Sequence, residues 1–415
     1  MLAARGLVAW PGQKPIEAVT GQGSGIRAGS AVRTRPRYHP QVVVGPARGG
    51  AINPAVGRGR LHPSTTQPFT LPSPTADGLR LGYDLRPMSP SGAIDVHTHV
   101  LPLAVIELLR RDGRFGVTIS EDMVWRGGSH PQVKLRPELV EPAAKIAEMD
   151  STGVRISIVS PFVGLFFYGL DLTLAGAACG QSNQALAEFC AHDRDRLRWM
   201  ATVPLQDPTA AALALSGAAA LGCVGVEIGA SVAGRQLDDP LLEPFWSAAE
   251  HHSLPVFIHS VSDSLPPPSS LDRYHLNNVI GNLLQTTVAA ERLICSGTLD
   301  RHPDLRVLLA HGGGFFPYQA GRLRHALSVR PEMAGIAGDP WGYAGRLLFD
   351  SITHDPLALA YLVSRAGPEN VLLGTDMPFD MGTTSPLVDI SAAVGPEIAE
   401  RIASRNARRL FRLDG

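Results

Sequence analysis

From about residue 93 onward, short apolar or β-branched runs alternate with longer segments that carry a helical pattern. This alternation is typical of βα units built around a parallel sheet. Eight such runs can be counted, at residues 93–96, 154–159, 199–203, 223–228, 255–258, 306–310, 347–349 and 371–373. Because eight βα units close a barrel, we predict an α/β fold of the (β/α)8 type, the TIM barrel.

Helix starts between these runs support the same fold. Asp207, Asp239 and Asp355 each precede a proline, and an aspartate can cap a helix whose first residue is proline. The main alternative is a doubly wound open sheet, but no glycine-rich dinucleotide-binding motif follows an early run. Two stretches, residues 114–135 and 260–282, exceed ordinary βα loops and predict a small insertion or lid.

Residues 1–90 differ in composition from the predicted barrel domain at residues 91–415. They are rich in glycine, proline and arginine, and Glu17, Asp77 and Asp84 are their only acidic residues. Such a segment buries too little apolar surface to offset its ordering entropy, so we predict that it is disordered.

Three origins of this extension are open: a targeting peptide, a tail that binds an acidic partner, or sequence upstream of the true start. We favour a mis-assigned start, because Met88 lies just before the first run. A chain that starts at Met88 is expected to keep full activity and metal content.

Composition excludes several classes of protein. A hydrophobic content of 44%, a charged content of 18% and a formal net charge of -1 are typical of a globular protein and indicate no nucleic-acid partner. No apolar run approaches the roughly 20 residues that a bilayer requires, so we expect no membrane partner. The four cysteines lack close paired spacing, which predicts reduced thiols and a cytoplasmic location. They are Cys179, Cys190, Cys223 and Cys295.

Two histidines, His97 and His99, stand one residue apart at the end of the first run. Residues two apart on a strand point to the same side, so both imidazoles can face one ion. His259 ends the fifth run, His311 ends the sixth, and Asp376 follows the eighth. Since the carboxyl ends of barrel strands form one rim, these side chains are predicted to converge. Imidazoles with a carboxylate suit one divalent ion, most of all zinc, with manganese, iron and cobalt as alternatives.

At these residues the chain resembles the amidohydrolase superfamily, and more narrowly its aminocarboxymuconate-semialdehyde decarboxylase family. The resemblance extends from residue 93 to about residue 412. The motifs that carry it are Asp95-Val96-His97-Thr98-His99-Val100-Leu101-Pro102, Ala310-His311-Gly312-Gly313-Gly314, Gly321-Arg322, His354-Asp355-Pro356-Leu357 and Leu373-Gly374-Thr375-Asp376-Met377-Pro378-Phe379. Together they are far more specific than the paired histidines alone.

The resemblance implies a role for each candidate. The metal ligands would be His97, His99, His259 and Asp376. His311 would be an acid/base beside the metal rather than a ligand. Family members hold substrate carboxylates with arginines: Arg322 matches one that reaches across a homodimer interface, and a second would fall near Lys134 or Arg136. The resemblance therefore also implies a homodimer that acts on a small carboxylic acid.

The reaction that this resemblance implies is the non-oxidative decarboxylation of an unsaturated or aromatic carboxylic acid. A bound divalent ion lowers the pKa of water to about 7, and the metal-bound hydroxide would add to a polarised double bond while His311 moves a proton. The alternative is a hydrolase of the same superfamily, in which the hydroxide attacks an amide, imide or lactone. A third interpretation is a barrel that binds metal or partners without catalysis, which the complete set of ligand types and an acid/base candidate disfavours.

Two positions depart from the family pattern. Ser260 follows His259 where the family commonly has proline, so the substrate stays open. Glu227 ends the fourth run, where the family often has an uncharged polar residue. We expect Glu227 either to support a metal ligand or, as the less favoured alternative, to hold a second ion.

Overall fold

The computed structural model describes residues 92–120, 122–126, 130–260, 269–333, 339–343 and 345–413. The predicted extension at residues 1–90, with Met88, lies outside the described residues, so the origin proposed for it stays a prediction. Within the described ranges, no helix is long and apolar enough to cross a membrane.

Eight parallel strands form the central sheet, and neighbours in the sheet are neighbours in the chain. They are β1 (Ile94–Val100), β2 (Ile156–Pro161), β3 (Leu197–Ala201), β4 (Gly225–Gly229), β5 (Val256–His259), β6 (Val307–Leu309), β7 (Leu347–Asp350) and β8 (Val371–Leu372). The sheet curves back on itself: the Val96 amide donates a hydrogen bond of 3.0 Å to the Leu373 carbonyl, and Thr98 bridges Met377 in parallel. The eight predicted strands and the (β/α)8 fold are confirmed.

Helices follow the strands along the chain. The α-helices within the described ranges are α1 (Leu103–Arg111), α2 (Pro137–Val140), α3 (Pro142–Thr152), α4 (Leu172–Cys190), α5 (Pro208–Ala220), α6 (Glu243–His251), α7 (Leu283–Cys295), α8 (Thr298–Arg301), α9 (Phe316–Val329), α10 (Pro356–Ala366), α11 (Pro386–Ala393), α12 (Pro396–Glu400) and α13 (Asn406–Phe411). Short 3-10 turns lie at Gly113–Phe115, Val163–Leu165, Pro240–Leu242, Ser269–Leu271, His311–Gly313, Pro331–Met333, Pro340–Tyr343 and Pro368–Asn370. Two π-helical segments, Asn277–Asn282 and Arg401–Arg405, precede α7 and α13.

The predicted aspartate caps are present. Asp207 and Asp355 accept hydrogen bonds from backbone amides at the starts of α5 and α10. Asp239 also caps, but a 3-10 turn at Pro240–Leu242 comes first, so α6 begins at Glu243 rather than directly after the cap.

Apolar side chains fill the interior of the barrel up to the level of the histidines. The inner cluster includes Ile94, Val96, Ile158, Met200, Phe257, Leu308, Leu348 and Leu372. A larger cluster lies between the strands and the surrounding helices. Phe257 precedes His259 by two residues on β5, and the two rings are 5.8 Å apart. The packed core therefore ends where the polar rim begins.

Of the two predicted insertions, the first contains an antiparallel sheet. Its strands are Val117–Ser120, Met123–Arg126 and His130–Lys134. Val117 and Val124 belong to an apolar cluster that also holds residues of α1 and α4. In the second insertion, residues 261–268 lie outside the described residues, and the π-helical segment Asn277–Asn282 runs directly into α7.

Candidate metal centre

Five predicted side chains converge at the carboxyl ends of the strands. Among the rings of His97, His99, His259 and His311, five of the six pairs, all but His99 with His311, have centroid distances of 4.9 to 5.2 Å. Asp376 contacts three of them. Its Oδ1 lies 3.3 Å from Nε2 of both His97 and His99, and its Oδ2 lies 3.4 Å from Nε2 of His311. The convergence predicted from strand ends is therefore present.

Four buried donor atoms at this centre have no hydrogen-bond partner among the described residues: Nε2 of His97, His99 and His259, and Oδ1 of Asp376. Buried polar atoms in proteins are almost always hydrogen-bonded, so a cluster of exceptions indicates a ligand. Donors around a tetrahedral ion at about 2.0–2.1 Å lie about 3.3 Å from one another, as the Asp376 contacts do. The residues present therefore fit one divalent ion.

Donor-atom distances select His311, and not His99, beside His97, His259 and Asp376. Donor atoms of His97, His259, His311 and Asp376 all lie within 4.8 Å of one another. Contacts to Asp376 do not separate the two rings, since Nε2 lies 3.3 Å from Oδ1 in His99 and 3.4 Å from Oδ2 in His311. The His311 side chain is 13% exposed, however, and that of His99 is fully buried. This difference in burial favours His99 as the ligand, an assignment that stays a prediction.

The other ring nitrogen of each predicted imidazole ligand faces a hydrogen-bond acceptor. The three contacts are His97 Nδ1 to Asp350 Oδ2 at 2.6 Å, His99 Nδ1 to the Pro161 carbonyl at 3.3 Å, and His259 Nδ1 to the Ser260 carbonyl at 3.0 Å. A carbonyl oxygen only accepts, so Nδ1 of His99 and His259 donates and the lone pair lies on Nε2. This is the arrangement by which proteins orient imidazoles toward a metal.

Asp350 organises the centre, although the sequence analysis did not select it. Its Oδ2 accepts hydrogen bonds from His97 Nδ1 at 2.6 Å and from the His311 amide at 2.7 Å. Its Oδ1 accepts from the Gly312 amide at 2.7 Å. Burial opposes ionisation, but the hydrogen bond from His97 and the nearby charge outweigh it and lower the pKa of Asp350. The signal available in the sequence was its position directly after the seventh apolar run.

Asp95 connects the two strands that meet at the barrel seam. Its Oδ1 accepts from the amides of His97 and Thr375, at 3.0 and 3.1 Å, and its Oδ2 accepts from Thr375 Oγ1 at 2.6 Å. Burial raises the pKa of Asp95 to about 6. This residue therefore fixes the backbone on which His97 and Asp376 are placed.

The imidazoles of the centre differ in the direction of their pKa shifts, because the carboxylates act most strongly on one of them. Burial lowers the pKa of His97, but Asp376 and Asp350 together outweigh burial and raise it to about 10. Burial lowers the pKa of His99 to about 4 and that of His259 well below its usual value. In the metal-free protein at neutral pH, these shifts favour a protonated His97 and neutral His99 and His259.

Strained backbone occurs at both the acid/base candidate and the carboxylate. His311 has φ 55° and Asp376 has φ 58°, in the left-handed region that non-glycine residues rarely adopt. Such strain concentrates at functional sites. Gly314, with φ 63°, faces the backbone carbonyl of Leu283 so closely that a Cβ would overlap it. Glycine at this position lets the His311 loop approach the start of α7.

The three predicted substrate-binding cations lie away from this centre within one chain. Lys134 is exposed and forms an ion pair of 3.0 Å with Asp122. Arg136 is exposed just before α2, and Arg322 is exposed on α9, four residues after Tyr318. The structure therefore brings together the predicted ligands and His311 but not these three side chains.

A cavity of about 650 Å³ lies beside His311. Its walls come from the π-helical segment, α7, α9 and α10, and most of the lining is apolar. Its polar members besides His311 are Asn278, Asn282, Thr353 and His354, together with the hydroxyl groups of Tyr318 and Tyr361. Among the described lining residues there is no aspartate, glutamate, lysine or arginine.

Val226 and Ile228 belong to the larger cluster between the strands and the surrounding helices. Since successive side chains of a strand point to opposite faces, Glu227 between them points into the barrel. It is completely buried, and neither carboxylate oxygen has a hydrogen-bond partner among the described residues. Burial raises the pKa of Glu227 well above its usual value. Its Oε1 lies 3.9 Å from Nδ1 of His99, which favours a role in supporting His99 over a role as ligand to a second ion.

The chain belongs to the amidohydrolase family, whose profile matches residues 94–413. This agrees with the resemblance inferred from the motifs, and it defines the class of protein to which the barrel and its metal centre belong.

Similar proteins come from several organisms. A Dictyostelium discoideum protein, 2-amino-3-carboxymuconate-6-semialdehyde decarboxylase, is 29% identical over 331 residues, covering 77% of this chain and 92% of its own length. The solved 5-carboxyvanillate decarboxylase of Sphingomonas paucimobilis is 25% identical, with a TM-score of 0.67 over 77% of this chain and 99% of that one. The same-named enzyme of Novosphingobium aromaticivorans, solved with manganese, is 23% identical with a TM-score of 0.64 over 77% of this chain and 96% of that one.

Proposed function

We propose that this chain is a metal-dependent, non-oxidative decarboxylase, a carbon–carbon lyase acting on an unsaturated or aromatic carboxylic acid. The observation that carries the proposal is the buried set of partnerless donors with one partly exposed histidine, His311, against it. The same centre would serve the alternative, a hydrolase of an amide, imide or lactone. Decarboxylation is favoured because the proteins that this chain matches over most of their length include decarboxylases.

One divalent ion would be held by His97, His99, His259 and Asp376. When bound, such an ion lowers the pKa of a coordinated water to about 7 and polarises substrate oxygens. Zinc suits a tetrahedral set of three imidazoles and one carboxylate, and the manganese in the Novosphingobium aromaticivorans enzyme supports that ion as an alternative.

His311 is the residue placed to move a proton. In a decarboxylation the bond to the carboxylate carbon breaks, its electron pair stays on the substrate carbon, and that carbon takes a proton. Nδ1 of His311 has no partner among the described residues, while Nε2 is held by Asp376 Oδ2. Asp376 therefore fixes the orientation of the ring beside the predicted metal ligands, as an acid/base group requires.

A homodimer would bring the predicted cations to the site. Large apolar side chains are exposed around the cavity beside His311, and we call them the apolar face: Val279, Ile280, Leu284, Tyr318, Leu357 and Tyr361. Exposed apolar patches of this kind mark association surfaces. Arg322 lies one helical turn from Tyr318 on α9, so a second copy packed on this face could present its Arg322 to the substrate carboxylate, with Lys134 or Arg136 as the second candidate cation. The four free cysteines support a reducing, cytoplasmic location.

The test is a panel of unsaturated and aromatic carboxylic acids assayed for carbon dioxide release, beside amides and lactones assayed for hydrolysis. His311→Ala should keep its metal content and lose at least about 100-fold in rate, the range of acid/base contributions. His325→Ala, which alters an exposed histidine on α9, is the control and should be unchanged. Carbon dioxide from none of the acids, or full activity in His311→Ala, would contradict the proposal.

A further inference from the structure

We infer that the cavity beside His311 is a substrate subsite, in which Asn282 anchors a neutral polar group on the part of the acid that does not react. This inference rests on the proposed decarboxylase function, because it assigns the cavity to the same substrate. It adds a specificity residue, and it narrows the substrate to a bulky aromatic acid.

The cavity is the space into which a substrate at the metal centre can extend. Of the five side chains that converge at the rim, His311 is the one that lines it. The other four are nearly or completely buried. An acid whose reacting carbon lies within reach of His311 can therefore extend its remaining atoms into this cavity.

Asn282 is built into the wall with an unmet hydrogen-bonding capacity. The residue is 8% exposed, lines the cavity, and its Oδ1 is buried with no partner among the described residues. An unsatisfied buried amide costs on the order of 1–3 kcal/mol, and a ligand in the cavity that hydrogen-bonds to Asn282 would offset this cost. The residue ends a π-helical segment, a feature common at functional sites.

The position of Asn282 is tied to the metal centre. Thr286, one turn further along α7, donates a hydrogen bond of 3.1 Å to Oγ of Ser260, the residue after His259. Thr287 Oγ1 accepts from the Phe315 amide at 2.7 Å, next to the glycines that follow His311. The start of α7 is thereby held against both β5 and the His311 loop, so the amide stands at a fixed distance from the reaction.

The lining defines the chemistry of the ligand. Apolar walls without a charged side chain among the described lining residues accept an uncharged hydrocarbon body and disfavour a second carboxylate there. The volume of about 650 Å³ lies within the roughly 300–1,000 Å³ that is typical of sites for drug-sized ligands. It is larger than the volume that one aromatic ring occupies. The amide of Asn282 both donates and accepts. The subsite thus fits a fused or substituted ring that carries a hydroxyl or carbonyl group.

The experiment measures binding separately from turnover. The metal-loaded full chain is titrated calorimetrically with 2-naphthoate, its monohydroxylated isomers and benzoate, and the same acids are assayed for carbon dioxide. At least one hydroxynaphthoate should bind about tenfold more tightly than 2-naphthoate, because a site built for a hydroxyl discriminates against its absence. In Asn282→Leu that ratio should fall to about one, while the affinity for 2-naphthoate changes less than about twofold.

A second variant keeps the inference testable if Asn282→Leu misfolds. Ala358→Phe fills the cavity from α10 and should weaken naphthoate binding about tenfold while benzoate is unaffected. Val388→Phe, at an exposed position on α11, is the matched control and should change neither. Persistence of the hydroxyl preference in Asn282→Leu, or unchanged naphthoate binding in Ala358→Phe, overturns the subsite. Binding that follows the expected pattern without carbon dioxide release upholds the subsite and rejects the decarboxylase.

Discussion

The predicted metal ligands and the predicted substrate-binding cations lie in contrasting environments. The ligands are buried at the ends of barrel strands or directly after them, with donor atoms as close as 3.3 Å. Lys134, Arg136 and Arg322 are exposed, on an insertion strand, in a loop and on a helix. A strand end is fixed by its sheet, so position in the chain determines position in space. A side chain on an insertion or a surface helix acquires its function from what packs against it.

Removal of Asp376 should have the largest effect. Asp376 contacts three of the four histidines, so Asp376→Ala is expected to lose the metal ion and at least about 1,000-fold in rate, combining lost affinity with lost activation of water. Metal analysis after gel filtration and the rate of carbon dioxide release measure the two losses. A variant that retained one ion per chain would show that the three imidazoles suffice and would weaken the four-donor assignment.

Asp350→Asn should have an intermediate effect. The substituted amide would offer one acceptor oxygen in place of two, so the contacts to His97 Nδ1 and to the amides of the His311 loop could not all be kept. Loss of such an outer partner typically costs about 10–100-fold in metal affinity or activity. Chelator competition gives the affinity. Asp355→Asn, at the cap of α10, is the control for a helix-terminal aspartate, and an equal loss there would assign the effect to general destabilisation.

The barrel and the ligand set could be predicted because both depend on local patterns. Short apolar runs indicate strands, and the residue that ends a run indicates the rim. Asp350 and Asp95 were not selected because their roles depend on partners distant in sequence: Asp350 receives hydrogen bonds from β1 and from the loop after β6, and Asp95 from the end of β8. Asn282 could not be predicted, since its significance comes from a cavity wall.

Arg322→Ala should have a smaller effect. The kinetic parameter that changes tests whether Arg322 of one subunit binds the substrate of the other. Loss of a charge-assisted contact to the substrate carboxylate should raise KM about tenfold with little change in metal content. Arg324→Ala, on the same helix and paired with Asp339, is the control. Mixing Arg322→Ala with His311→Ala chains should restore kcat/KM, because one site of a mixed dimer then has both intact residues. Without recovery, Arg322 would act within its own chain or not at all.

The smallest expected effect is the release of a single proton when the metal ion binds. It involves only the buried ligands. Burial lowers the pKa of His97, yet Asp376 and Asp350 raise it to about 10, so the metal-free centre is protonated there at neutral pH. A metal ion requires the neutral imidazole, so its uptake should release about one proton, and affinity should rise about tenfold per pH unit up to the pKa of His97. Proton release in weakly buffered solution and chelator competition at several pH values measure the released proton and the metal affinity.

The dependence of metal affinity on pH should vanish above about pH 10, where His97 is already neutral. Arg322→Ala should leave it unchanged, because an exposed cation outside the centre holds no part of this proton equilibrium. A flat dependence through neutral pH would mean that all three imidazoles are neutral before the ion binds, and that the carboxylates do not hold a proton on His97.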